Sequence, residues 1–294
     1  MKILLLLALI LLFISFKKKE YFVNPDWSDM SDYQCGFQPP LKNITSNIRS
    51  GKLAIFFELK NKMDFSKVWN QYFQNVNPNH YSIFVHFSDG KIQVPLNYKH
   101  KVVETSTRGK WGDVFPVHEI LIEEALKDSN IFGSVYISNN CIPLKDFYTL
   151  YDNVRNSSSI LNFSNKQGNK NAHWMFLRRD ALKVLFDNRH KVQEIIKNAN
   201  VPGVKASEEI YPSIILHEKN IPLKHGIITF DCWNPEKVGG GINSYEKISP
   251  CHFKNINPEV FNRLQKSGSF FARKFEKGTK VGEKIIENVI LKYI

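Results

Sequence analysis

Cysteine is scarce in this chain of 294 residues: Cys35, Cys141, Cys232 and Cys251 stand far apart, with no Cys-x-x-Cys pair. That spacing excludes a disulfide scaffold and a zinc ribbon. The thiols read as buried and unbridged, with a Cys232–Cys251 bridge as the alternative in an oxidising compartment. Acids are also short, 28 Asp and Glu against 40 Lys and Arg, for a net charge of +12. No Asp-x-Asp triplet occurs, which removes a common carboxylate site for a divalent ion on a diphosphate. Gly239-Gly240-Gly241 has no Lys-Ser/Thr behind it, and no Gly-x-Ser-x-Gly occurs. A P-loop and a hydrolase elbow are therefore both excluded.

The basic surplus is dispersed, and its only tight run is Lys17-Lys18-Lys19. With no nucleic-acid motif beside it, nucleic-acid binding is not expected. Such a surplus suits a membrane-facing protein or one that holds a nucleotide diphosphate. Abundant Lys, Asn and Ile suit a low-GC genome, such as that of a large DNA virus. Hydrophobic residues make up 43% and aromatics 13%, so the chain has the material for a large core.

Ile3 to Phe16 is apolar apart from Ser15 and is flanked by Lys2 and the Lys17–Lys19 run. It is short for a spanning helix, which needs ~20 residues. No small-x-small cleavage site follows, so an uncleaved single-pass anchor over 1–19 is the expectation. The heavier flanking charge favours a cytoplasmic domain, whereas the sequons at Asn43, Asn156 and Asn162 suit a Golgi or ER lumen. The side of the membrane stays open. Residues 20–51 read as a stem, and 52–294 as the folded domain.

In that domain helical and strand-like stretches alternate, which argues α/β. Leu53–Leu59 and Tyr81–Phe87 read as buried strands, and Val135–Ser138 as a third that ends abruptly at Asn139-Asn140-Cys141-Ile142-Pro143. A further strand fits Gly226–Phe230. Helices fit Phe65–Asn75, Val117–Lys127, a stretch inside Pro143–Val154, Asp180–Phe186, His190–Asn198, Glu208–Leu216 and Pro258–Leu264. Ligands of α/β proteins collect at carboxyl ends of strands, so the Ser138 to Leu144 end and the Lys110-Trp111-Gly112-Asp113 turn draw attention.

Ser207 reads as an N-cap, with Glu208 and Glu209 in the first helical turn. Acids there are favoured by the helix dipole, or one serves as a general base; spacing does not choose. Arg273 and Lys274 lie between aromatics in Phe270–Phe275, facing a diphosphate or ending a solvated helix. His86 and His118 stand alone, with no paired ligand at i+4, and read as structural or pocket-lining rather than as metal ligands.

In order along the chain, these landmarks resemble the core-2/I-branching β-1,6-N-acetylglucosaminyltransferase family, which includes the peptide O-xylosyltransferases. They are Leu53–Leu59, Val85-His86, Lys110-Trp111-Gly112, Ser138–Leu144, Ala172–Leu177, Ser207–Ser213, Asp231-Cys232-Trp233, Ser249–Phe253 and Leu264–Phe275. The resemblance implies a GT-A-like fold with a Rossmann-type nucleotide-binding half. It implies inverting, metal-independent transfer of GlcNAc or xylose from a UDP-sugar to a glycan or glycoprotein hydroxyl, with no cofactor.

Counting back from Pro212-Ser213, the resemblance puts the base at Glu208, or at Glu209 if the register slips by one. It puts the diphosphate-holding cation at Lys274. An Arg that the branching enzymes carry before that Lys is missing, and His252, Lys254 or Arg273 is expected to replace it. Val85, His86 and Trp111 would line the donor side. Asn139, Asn140, Trp174 and Trp233 would face acceptor sugars. The rival reading is a membrane-anchored carbohydrate-binding protein with weakened turnover.

Overall fold

The computed structural model describes residues 50–89, 94–103, 109–110, 112–163, 168–199, 201, 205–232, 250 and 252–281. The anchor 1–19, nearly all of the stem, Trp111, Trp233 and Cys251 lie outside the described residues. Among the described residues no helix is long and apolar enough to cross a membrane.

The centre is a seven-stranded sheet. Strands β1 (Lys52–Leu59), β2 (Tyr81–Phe87), β3 (His100–Val102) and β4 (Ile131–Ser138) are joined by β6 (Ser159–Leu161), β7 (Phe176–Arg178) and β8 (Leu223–His225). The order is β3-β2-β1-β4-β7-β6-β8. Strand β1 runs parallel to both β2 and β4, while β7 is antiparallel to β4. A central parallel strand is covered on both faces and so reads as a continuous apolar run. Leu53 to Phe57 are accordingly 0% exposed.

Chain order reverses at β1, with β2 on one side and β4 on the other, which is the switch point where α/β folds open a crevice. Register puts His86, Glu58 and Ser138 side by side at the carboxyl ends of these three strands.

Helices α1 (Ser66–Phe73) and α3 (Phe147–Arg155) contribute one aromatic layer, in which Trp69 meets Phe57 edge-on and Phe73 tilts against Phe147. Helices α2 (Phe115–Leu126), α4 (Arg179–Asp187) and α6 (Ser207–Glu218) pack on one another, α2 and α4 also on the sheet, with α5 (Val192–Asn198) against α6. A second sheet joins β5 (Ile142–Pro143), β11 (Phe271–Arg273) and β9 (Thr229–Asp231). Strands β10 (Phe253–Ile256) and β12 (Phe275–Val281) form a separate parallel pair, with helix α7 (Pro258–Lys266) following β10.

Several expectations need correcting. Strand β4 starts at Ile131, because Gly133 and Ser134 interrupt the apolar pattern without leaving the sheet. Strand β9 is Thr229–Asp231, later than expected, since pairing with β11 sets its limits. Phe271–Arg273 is neither a helix end nor solvated: it is a strand held between two partners, with Phe271 and Ala272 at 0% exposure. The α6 N-cap is Ala206, and Ser207 is the first helical residue, its hydroxyl being taken up by another helix.

Candidate active site

The Lys110–Asp113 turn, closed by Asp113 N donating to Lys110 O at 2.9 Å, docks onto the start of α6. Gly112 has φ +81°, a left-handed conformation that costs a side chain about 1–2 kcal/mol. Its carbonyl accepts from Ser207 N at 3.3 Å. The next backbone donors, at the open amino end of α2, are satisfied by the same turn of α6. Val114 N donates to Glu208 Oε2 at 3.1 Å, and Phe115 N to Ser207 Oγ at 3.1 Å. Two helix N-termini thus meet, and Glu208 lies between them at 5% exposure.

Pro212, inside α6, has no N–H for the carbonyl four residues earlier, which is that of Glu208. Asn171 lies against the freed turn: its Nδ2 approaches Glu208 O at 3.5 Å and its N donates to Glu209 O at 2.7 Å. The fully buried Asn171 also donates from Nδ2 to Ala172 O at 2.8 Å, which fixes the loop carrying His173 and Trp174.

Beside Glu208 is a cluster that the sequence did not disclose. Glu58 projects from the carboxyl end of β1, His118 from α2, and His173 from that loop. Glu58 Oε2 is 2.5 Å from His173 Nε2, and Oε1 is 2.7 Å from His118 Nε2. The two Nε2 atoms are 3.1 Å apart. His173 turns Nδ1 toward Glu208 Oε1 at 3.9 Å. Burial opposes the Glu58 charge, but the two imidazoles overcome it and hold the carboxyl far below the usual range. Burial likewise opposes charge on His173, and Glu58, with help from Glu208, raises its pKa overall. These donor atoms lie within 4.8 Å of one another, close enough to share a cation. His118 is therefore not isolated, as its sequence context suggested.

Trp174 stacks on His173 with ring centroids 4.2 Å apart and planes at 14°. The Arg273 guanidinium lies 4.4 Å from the Trp174 centroid, a contact worth ~0.5–2 kcal/mol. Arg273 Nη1 donates to Asp231 Oδ1 at 3.2 Å across the β11–β9 register. Burial raises the Asp231 pKa against the pull of Arg273. Lys274 follows at the edge of the same group. Burial, then the neighbouring Arg273 charge, lowers its pKa.

Glu208, Trp174, Arg273 and Lys274 thus come together, with His86 buried and in register beside Glu58. Glu209 points elsewhere, paired with Lys170 at 3.3 Å, its pKa raised by burial. His252 and Lys254 both face Glu276 on β12, at 3.5 and 3.9 Å. Val85 is packed in the core at 0% exposure. Asn139 donates from Nδ2 to Asp64 Oδ2 at 3.1 Å. Asn140 accepts from Ser138 Oγ through Oδ1 at 2.6 Å, and its carbonyl accepts from Phe275 N, tying the β4 end to the start of β12.

Residues 54–173 match the family described as Core-2/I-Branching enzyme. A curated relative, "Glycosyltransferase BC10" of Oryza sativa subsp. japonica, is 25% identical over 183 residues, which is 59% of this chain. The match spans 45% of that protein's length, so the chain covers about half of it. Among solved structures, "Crystal Structure of A197 from STIV" matches 44% of this chain and 66% of that one, at 9% identity and a TM-score of 0.26. A likeness that slight says nothing about this site. Over residues 54–173 the chain is thus similar to the core-2/I-branching enzymes.

Proposed function

We propose that the protein is a glycosyltransferase that moves a sugar, GlcNAc or xylose, from a UDP-sugar to a hydroxyl of a glycan or glycoprotein, with inversion. The observation that carries this reading is the arrangement of Glu208 beside His173 at the carboxyl end of β1, with Arg273 over Trp174 and Lys274 next to it. In a single displacement, the acceptor oxygen bonds to the anomeric carbon as that carbon's bond to the diphosphate oxygen breaks. Glu208 takes the hydroxyl proton, and the carboxylate's buried position keeps water from competing for it.

Departing UDP carries the electron pair of the broken bond, and fixed cations lower the barrier where that charge develops. Lys274 and Arg273 are the pair that meets this need, with Arg273 as the second cation in place of His252 or Lys254. No divalent ion is required at the diphosphate. Asn139, Asn140 and Trp174 flank the acceptor side, and segment 1–19 holds the enzyme at a membrane of Golgi or ER type.

Arg273 is already engaged by Asp231, which favours a second reading, a carbohydrate-binding protein with little turnover. A screen of UDP-sugars by UDP release, without added Mg²⁺ or Mn²⁺, separates the two. Transfer from one donor, with an inverted linkage in the product, is the expected result. Glycan binding without UDP release or a UDP-induced thermal shift would instead favour the binder.

A further inference from the structure

Glu58, His118 and His173 pose a problem in proton counting. Each Nε2 carries either one proton or one lone pair. His173 Nε2, 2.5 Å from Glu58 Oε2, needs a proton to make that contact. It then has no lone pair to offer His118 Nε2, which approaches it at 3.1 Å. If His118 instead donates to His173, a bare imidazole nitrogen faces a carboxylate oxygen at hydrogen-bond range. Glu58 Oε1 is 2.7 Å from His118 Nε2, so one carboxylate faces both imidazoles. His118 Nδ1 is buried without a partner among the described residues. With both ring protons turned to the carboxylate the two Nε2 atoms face each other without a hydrogen bond, whereas a cation facing three lone pairs uses all three close donor groups.

From this geometry we infer that Glu58, His118 and His173 bind a divalent transition-metal ion, with Zn²⁺ the best fit. Two imidazoles and a carboxylate form a donor set known for zinc, with a fourth position left for water or a hydroxyl. The zinc–nitrogen distance of ~2.05 Å puts tetrahedral donors ~3.3 Å apart. The two Nε2 atoms, 3.1 Å apart, already approach that spacing. The carboxylate must draw back by about 0.6–0.8 Å for its own Zn–O bond, well within the reach of a Glu side chain. His173 then presents Nδ1–H toward the Glu208 carboxylate, now 3.9 Å away, as metal-bound imidazoles commonly do.

The ion would sit on the base side of the site and neither needs nor replaces the cations assigned to the diphosphate. The inference stands whether or not the protein transfers sugar, because its test uses no donor. The whole chain, freed of metal, is titrated with ZnCl₂ by calorimetry and with Co²⁺ by visible absorption. One equivalent is expected, with the intense bands of tetrahedral Co²⁺ and a rise in Tm on adding Zn²⁺. Glu58→Gln and His118→Gln should each weaken Zn²⁺ by at least the ~10–100-fold that even outer-shell changes cost. His100→Gln, remote from the cluster, should leave binding unchanged. Should a variant fail to fold, the wild-type Co²⁺ spectrum still decides. No heat and no Co²⁺ band in the wild type would overturn the inference, leaving a proton-bridged triad. Undiminished binding in folded Glu58→Gln and His118→Gln would overturn it too, by placing the ion elsewhere.

Discussion

Gly133 offers the sharpest test of how the sheet positions the site. It sits in β4 opposite Arg178 of the antiparallel strand β7. A Cβ built there would meet Leu177 O at 2.6 Å and the Phe176 ring at 2.7 and 2.9 Å. The carbonyl contact is about 0.8 Å short of ordinary van der Waals separation and involves backbone, which cannot swing aside. Gly133→Ala must therefore push β7 away from β4 or force the fully buried Phe176 off its rotamer. Overpacking of this kind costs ~1–3 kcal/mol. The lower chain entropy of Ala returns ~0.5–1 kcal/mol. A backbone clash at 2.6 Å takes the upper part of the overpacking range, ~2–3 kcal/mol, so the net is ~1–2.5 kcal/mol, or a Tm lowered by ~2–10 °C for a domain of this size. Because β7 follows directly after His173, Trp174 and Met175, the displacement should also reduce turnover. Thermal unfolding followed by circular dichroism, with Ser134→Ala as a neighbouring control, reads the effect. An unchanged or raised Tm would refute the packing argument.

Other predictions follow from the junction of the two helix starts and from the cation pair. Ser207→Ala removes the acceptor for Phe115 N, leaving a buried donor unpaired; a loss of ~1–3 kcal/mol in denaturant stability is expected. If stability does not change, Ser207 Oγ does not pair these helices. The lowered Lys274 pKa has a functional sign: the diphosphate needs the ammonium, so activity falls as pH rises through that value. The alkaline limb of kcat/KM, which reports the free enzyme, should lie below the ordinary lysine range, and that of kcat above it once the donor's charge is bound. A limb unmoved by Lys274→Gln, in an enzyme still turning over, would remove Lys274 from this role. Trp174→Leu, which takes away the ring between His173 and Arg273, should raise acceptor KM several-fold; an unchanged acceptor KM would remove Trp174 from the acceptor side.

Much of the scaffold was legible because the sheet's centre is buried on both faces. Leu53–Leu59 and Tyr81–Phe87 announce themselves as apolar runs, and the helix carrying Glu208 by its acids after Ser207. Glu58 was overlooked inside the first of those runs, although a carboxylate amid Phe56, Phe57 and Leu59 is the signal that a partner must be waiting. Its partners, His118 and His173, are distant in sequence, and periodicity reports burial rather than which buried groups converge. The strand nature of Phe271–Arg273 was hidden for the same reason, since three residues make a strand only because β5 and β9 flank them. The separation of Glu208 from Glu209 follows from the docking of the Lys110–Asp113 turn and the Glu209–Lys170 pair, neither of which leaves a local pattern.

The most direct test of the central claim is the Glu208→Gln variant in a UDP-sugar transfer assay, with UDP affinity measured on the same sample. Glutamine keeps the size and an acceptor oxygen for Val114 N but cannot take the acceptor's proton. A kcat lower by ~10²–10⁴-fold, with UDP affinity nearly unchanged, is expected. Transfer at the parental rate would contradict it.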